Sequence, residues 1–118
     1  MDTTRMRTWA EIDLSALEHN YRTLRAMLPQ GCRFLGLCKA NAYGHGAAVI
    51  GHTLERLGAD MLAVACVSEA EELRQSGVTL PILCLGETPE ELIPLLLELD
   101  VTQMVEDLET GRRLSAAA

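Results

Sequence analysis

At 118 residues the chain has room for one domain, and 48% apolar residues with only 3% aromatics predict an aliphatic core. The net charge of -7 leaves no basic stripe for phosphates and argues against a nucleic-acid partner, and no apolar run approaches the roughly 20 residues of a membrane span. The polar start, residues 1–7, lacks the apolar segment of a secretory signal, so a soluble, cytoplasmic protein is expected.

In chain order, residues 8–13 (Thr-Trp-Ala-Glu-Ile-Asp) read as a short strand. Ser15 with Glu18 three places on predicts a capping box. Leu17, Tyr21, Leu24 and Leu28 then form one apolar helix face, ended by Pro29-Gln30-Gly31. Four apolar runs follow, at 34–38, 61–67, 82–85 and 101–105. They do not alternate, which predicts strands buried on both faces. Helical patterns lie between them. Residues 47–57 stop at Gly58, a C-terminal cap. Ser68 and Glu71 predict a second capping box, in a helix that ends near Gly77. Thr88, Pro89 and Glu91 predict a third, with Pro89 at the first helical position and Pro94 as a kink. Asp107 caps a last helix running to residue 118.

Strand and helix alternating at this pitch imply βαβ units around a parallel sheet. A dinucleotide-binding sheet calls for G-x-G-x-x-G, but Gly44-His45-Gly46 is followed by Ala47-Ala48-Val49 without the third glycine. A barrel fits better, although a closed one takes about 250 residues. The expected fold class is therefore α/β, residues 1–118 forming the N-terminal portion, about four βα units, of a (β/α)8 TIM-type barrel. A half-barrel with open edges also invites pairing with a second copy.

None of Cys32, Cys38, Cys66 and Cys84 makes a C-x-x-C pair, so they read as small apolar fillers in a reducing compartment, with no metal expected. Glu69, Glu71 and Glu72 cluster at a helix start, where the helix dipole accounts for them. His45 reads as a backbone-orienting loop residue; His19 and His52 read as helix-surface or packing residues.

Lys39 stands out. It is the one lysine beside nine arginines, and it ends an apolar strand, where barrel chemistry gathers. Arginine stays protonated, whereas a desolvated lysine can lose its proton and form a Schiff base with an aldehyde. Tyr43 follows in a glycine-flanked loop, where its hydroxyl can donate to an anionic group without adding charge. Leu85 holds the equivalent strand-end position on the third barrel strand.

The run Lys39-Ala40-Asn41-Ala42-Tyr43-Gly44-His45-Gly46 closely resembles the pyridoxal-phosphate attachment segment of the alanine racemase family. Weaker likenesses extend along the chain, through Trp9-Ala10-Glu11-Ile12-Asp13-Leu14, Gly58-Ala59-Asp60, Glu69-Ala70-Glu71-Glu72-Leu73-Arg74 and Pro81-Ile82-Leu83. Leu37 and Cys38 depart mildly from the small branched residues common before the lysine. The resemblance implies that Lys39 holds pyridoxal 5'-phosphate as a Schiff base and acts as one of two bases exchanging the α-proton of alanine. Tyr43 would bond the cofactor phosphate, and Leu37 and Leu85 would pack near its ring. The product, D-alanine, would supply peptidoglycan. The second base, a tyrosine in the C-terminal β domain of a partner subunit in a homodimer, has no counterpart here, so these 118 residues alone are expected not to racemise alanine. A serine-preferring or broad-specificity racemase, or a non-catalytic pyridoxal-phosphate-binding barrel, are the alternatives.

Overall fold

The computed structural model describes residues 6–118; the first five residues of the polar start lie outside them. The first helix, α1 (Leu14–Met27), is opened by Asp13, whose carboxylate accepts the Ser15 and Ala16 amides at 2.8 and 3.1 Å. Ser15 is thus inside the helix, not its cap, and the expected box with Glu18 does not form. A carboxylate adds favourable charge at a helix start that a hydroxyl lacks. Glu18 turns instead to Arg22 and Arg56, at 2.7 and 3.4 Å. Residues 8–13 form no strand either. Among the described residues they have no neighbouring strand to pair with, and Trp9 and Ile12 are exposed. On the apolar face of α1, Tyr21 is buried edge-on against Phe34, centroids 4.8 Å apart, while Leu24 remains exposed.

Four strands make one parallel sheet in sequential order: β1 (Leu35–Leu37), β2 (Met61–Val64), β3 (Ile82–Cys84) and β4 (Val101–Gln103). Leu37 pairs with Ala63, Ala63 with Leu83, and Leu83 with Thr102, which fixes the register. A short turn, α2 (Lys39–Tyr43), and a longer helix, α3 (Ala47–Leu57), connect the first two strands. The helix α4 (Val67–Gln75) connects the next pair, and α5 (Ile93–Glu98) leads to β4. The final helix, α6 (Leu108–Ala117), is capped by Asp107 as expected, its side chain accepting the Thr110 amide at 2.7 Å. Gly58, at φ 90°, closes α3 as expected.

Two other helix starts differ from expectation. Cys66, not Ser68, caps α4; no side chain bonds the cap, and the Ser68 hydroxyl instead lies 3.2 Å from the Cys66 sulfur. Pro89 precedes a 3-10 turn, Glu90–Leu92, and Pro94 is the second residue of α5. Pro94 therefore helps begin a helix, not kink one, because first-turn amides have no helical partner to lose. Thr88 is buried, its hydroxyl donating to the Gln103 side chain at 2.6 Å.

The strands were expected to be covered on both faces, yet only the helix-facing side is. Cys38, Leu62, Val64, Ile82 and Cys84 on that side are fully buried. On the other side Leu35 and Leu37 stay 41% and 42% exposed, since no second layer lies over them among the described residues. The non-alternating sequence pattern reflects two apolar faces, of which one is packed.

The N-terminal rim of the sheet is stitched by charged side chains bonding backbone. Asp60 accepts the Phe34 amide at 2.6 Å and pairs with Arg25 at 3.0 Å. One Glu55 oxygen accepts the Thr79 amide and hydroxyl and the Leu80 amide, at 2.8, 2.5 and 3.0 Å. Arg74 donates to the carbonyls of Val78, Leu80 and Leu99 at 2.7–2.9 Å. The Phe34 amide, helped by Arg25, holds the Asp60 carboxyl below its ordinary 3.8, and the Thr79 hydroxyl holds Glu55 below 4.5. Folded pKa values below the unfolded ones mean that both groups stabilise the fold above those ordinary values, and that the stabilisation is lost as pH falls through the depressed ones. The double variant Asp60→Asn/Glu55→Gln should accordingly be less stable than the parent near neutrality and lose less stability on acidification below pH 4.5, as measured by urea unfolding of the full chain at stepped pH.

Candidate active site

Strand pairing delivers Lys39 to the C-terminal rim. The Cys38 amide still bonds to the Ala63 carbonyl at 2.8 Å, and the lysine comes next. Four successive residues then take left-handed backbone: Ala40, Asn41, Ala42 and Tyr43, at φ 51, 54, 52 and 55°. For L-residues each such placement costs roughly 1–2 kcal/mol, so the turn must be held from outside its own preferences.

Several hydrogen bonds hold it. The Ala42 amide donates to the Cys38 carbonyl at 3.0 Å, and Gly44 and His45 amides return to carbonyls within the turn at 3.1 Å. His45 Nδ1 lies 2.9 Å from the Ala42 carbonyl, the orienting part expected of it. Asn41 tolerates left-handed backbone better than most residues, and its side-chain oxygen accepts the Ala47 amide at 2.8 Å, capping α3 from outside the helix. Gly44 and Gly46, at φ 84 and 92°, carry the chain out of the turn. Finally Glu69 in α4 forks. One carboxylate oxygen accepts the Ala40 amide at 2.8 Å, the other the Ala65 amide at 2.7 Å.

The turn sets Lys39 Nζ 6.0 Å from the centre of the Tyr43 ring, and Tyr43 is 59% exposed. Leu37 lies on the open sheet face beside Ala63 of β2, and Leu85 follows β3 with its amide bonded to the Val64 carbonyl. The rim thus combines an amine, a phenol and two apolar side chains, with Ala63 of β2 paired between Leu37 and Leu83. Close approach continues at Gly86, whose amide bonds the Ala65 carbonyl at 3.0 Å; a Cβ there would collide with that oxygen. The neighbouring thiols do not compete with the amine. Burial pushes Cys38 up to about 11 and raises Cys84 as well, so both stay protonated near neutrality. A cleft along the β1 edge, lined by Leu17, Phe34, Leu54 and His45 among others, includes neither Lys39 nor Tyr43. Among the described residues no cluster of three His, Cys, Asp or Glu could hold a metal ion, and no helix is long and apolar enough to cross a membrane.

The family model for the alanine racemase N-terminal domain matches residues 12–118. The chain belongs to that family. It is 44% identical over 110 residues to the alanine racemase of Desulfovibrio desulfuricans, covering 93% of this chain and 30% of that protein. The alanine racemase of Clostridium novyi is 46% identical over 110 residues, covering 93% of this chain and 28% of the relative. The solved alanine racemase of Clostridium difficile superposes with a TM-score of 0.92 at 41% identity, covering 98% of this chain and 31% of that one. The chain spans about 30% of the length of the curated alanine racemases it matches. Its four-stranded parallel sheet is accordingly the N-terminal part of the family's barrel.

Sequence reasoning placed Lys39, Tyr43, Leu37 and Leu85 at one rim but missed the left-handed turn and the fork of Glu69. The Ala-Asn-Ala run carries no sign of positive φ beyond its asparagine. Glu69 had a local explanation in the helix dipole, which hid a contact with a residue 29 positions away. Removing the external cap should loosen the turn: Asn41→Ala is expected to destabilise the full chain by about 1–2 kcal/mol in urea unfolding.

Proposed function

We propose that the whole protein is a pyridoxal 5'-phosphate-dependent alanine racemase interconverting L- and D-alanine, with Lys39 as the cofactor-bearing residue and one of its two bases. The observation that carries this reading is the only lysine of the sequence at the C-terminal rim of a parallel sheet, fixed there by a left-handed turn. The alanine racemases matched over nearly the whole of this chain support it.

The rim residues fit the cofactor chemically. Lys39 offers an amine to its aldehyde, Tyr43 a neutral donor to its phosphate, and Leu37 and Leu85 an apolar wall to its ring. When bound, the cofactor supplies an electron sink for the pair left at Cα once the α-proton is removed. Lys39 Nζ takes that proton from one face of the amino acid, or returns it there. Inversion needs a second base on the opposite face. Tyr43 shares a turn with Lys39 and stands beside its amine; the family resemblance implies that the opposite base is a tyrosine of the partner subunit in a homodimer. Four free cysteines fit a cytoplasmic setting, where D-alanine for peptidoglycan would be made.

Borohydride reduction of the cofactor-loaded whole protein, followed by peptide mapping, tests the assignment. The adduct is expected on the peptide carrying Lys39, and Lys39→Ala should lose both the adduct and at least about 100-fold in turnover. An adduct elsewhere, or none, would reject it. Tyr43→Phe should leave the adduct on Lys39 but weaken cofactor retention about tenfold, the worth of one hydrogen bond to a charged group.

A further inference from the structure

Glu69 touches no reacting group and makes no ion pair among the described residues, yet it is the one side chain that joins the Lys39 turn to the neighbouring strand end. Its two acceptor oxygens are both occupied by backbone amides. Ala40, at 2.8 Å, directly follows Lys39 and is the first left-handed residue; Ala65, at 2.7 Å, directly follows β2. Its location in the first turn of α4 accounts for the reach back to Ala65, as in a capping box, but not for the reach across to Ala40. Glu71 and Glu72 stand in the next turn of α4, and neither side chain makes a hydrogen bond among the described residues. A peptide plane pinned at Ala40 fixes the direction in which the Lys39 backbone approaches it, and hence where the lysine side chain departs from the rim.

We propose that Glu69 is the positioning residue for Lys39: by holding the Ala40 and Ala65 amides at once, it aims the amine at the site where the cofactor aldehyde and the substrate α-proton are met. The proposal rests on the racemase reading above. A carboxylate is required because both partners are donors. Glutamine has one acceptor oxygen, and its amide nitrogen would face an N–H. Aspartate is one methylene short of spanning the two amides.

The test compares Glu69→Gln with the parent in the whole protein, second base included, using Glu72→Gln as a control in the same helix. In the cofactor-free protein, hydrogen exchange at the Ala40 amide should quicken at least tenfold in Glu69→Gln and stay unchanged in the control. On adding pyridoxal phosphate, Glu69→Gln should still be reduced by borohydride onto Lys39, but capture of the aldehyde should slow. Its kcat should fall about 10- to 100-fold with KM changed less than threefold, as expected of a misplaced rather than missing base. Should Glu69→Gln not fold, Glu69→Asp provides the same readings with the charge kept. Unchanged exchange at Ala40, or unchanged capture and kcat in the variant, overturns the positioning role while leaving the racemase reading intact. Absence of a Lys39 adduct in the parent overturns both.

Discussion

Four consecutive L-residues at positive φ have no local reason to remain there, and the placement of the amine depends on their doing so. Residues 40–43 would relax to ordinary backbone if the hydrogen bonds around them were weaker than the conformational cost. They are held from three directions. Cys38, at the end of β1, receives the Ala42 amide; Asn41 couples the turn to the start of α3; Glu69 couples it to α4 and the end of β2. A turn tied to a strand and two helices inherits their rigidity. Lys39 is long and mobile as a side chain, but it emerges from backbone that has little freedom.

That rigidity has its origin in the packed face of the sheet. Leu62, Val64, Ile82 and Cys84 are fully buried, and Leu73 and Val78 complete the layer from the helix side. At roughly 1.5–3 kcal/mol for each large aliphatic side chain buried, this layer outweighs the several kcal/mol that the left-handed turn costs. The sum matters because the strands are short, three or four residues each. Ladder hydrogen bonds over so few residues would not anchor a strained turn without the apolar layer behind them.

The alternation of apolar runs and amphipathic stretches was enough to read a parallel α/β arrangement, because strand and helix periods differ and each run was bounded by its own stop. Gly58 and Asp107 acted as expected, since each works through its own backbone or the amides next to it. The misplaced features share a different cause. Ser15 lost its cap to Asp13, and Ser68 capped nothing, because several residues in each stretch were chemically able to cap and neighbours decided among them. Residues 8–13 have strand-like composition but no partner among the described residues, and pairing cannot be seen in composition. At the site, residue type and position disclosed the amine and the phenol, and the family resemblance pointed to the leucines. The hydrogen bonds that aim them join positions up to 29 apart, and only the fold brings those together.

The two rims of the sheet use charge differently, and the difference separates stability from chemistry. At the N-terminal rim Asp60, Glu55 and Arg74 bind backbone of the loops leading into β1, β3 and β4, where the chain needs only to be held. At the C-terminal rim Glu69 and Gln103 do the same work on the residues leaving β1, β2, β3 and β4, with Gln103 donating to the Gly86 and Met104 carbonyls at 2.7 and 2.9 Å. Glu69 is occupied by backbone and Gln103 by backbone and the Thr88 hydroxyl, whereas Lys39 and Tyr43, beside Leu37 and Leu85, make no side-chain hydrogen bond among the described residues. With the Glu69 carboxylate already occupied by two amides, the Lys39 end of the rim offers an anionic ligand an amine and a hydroxyl. In a (β/α)8 fold this division is what lets one end of the strands change chemistry while the other keeps the chain folded.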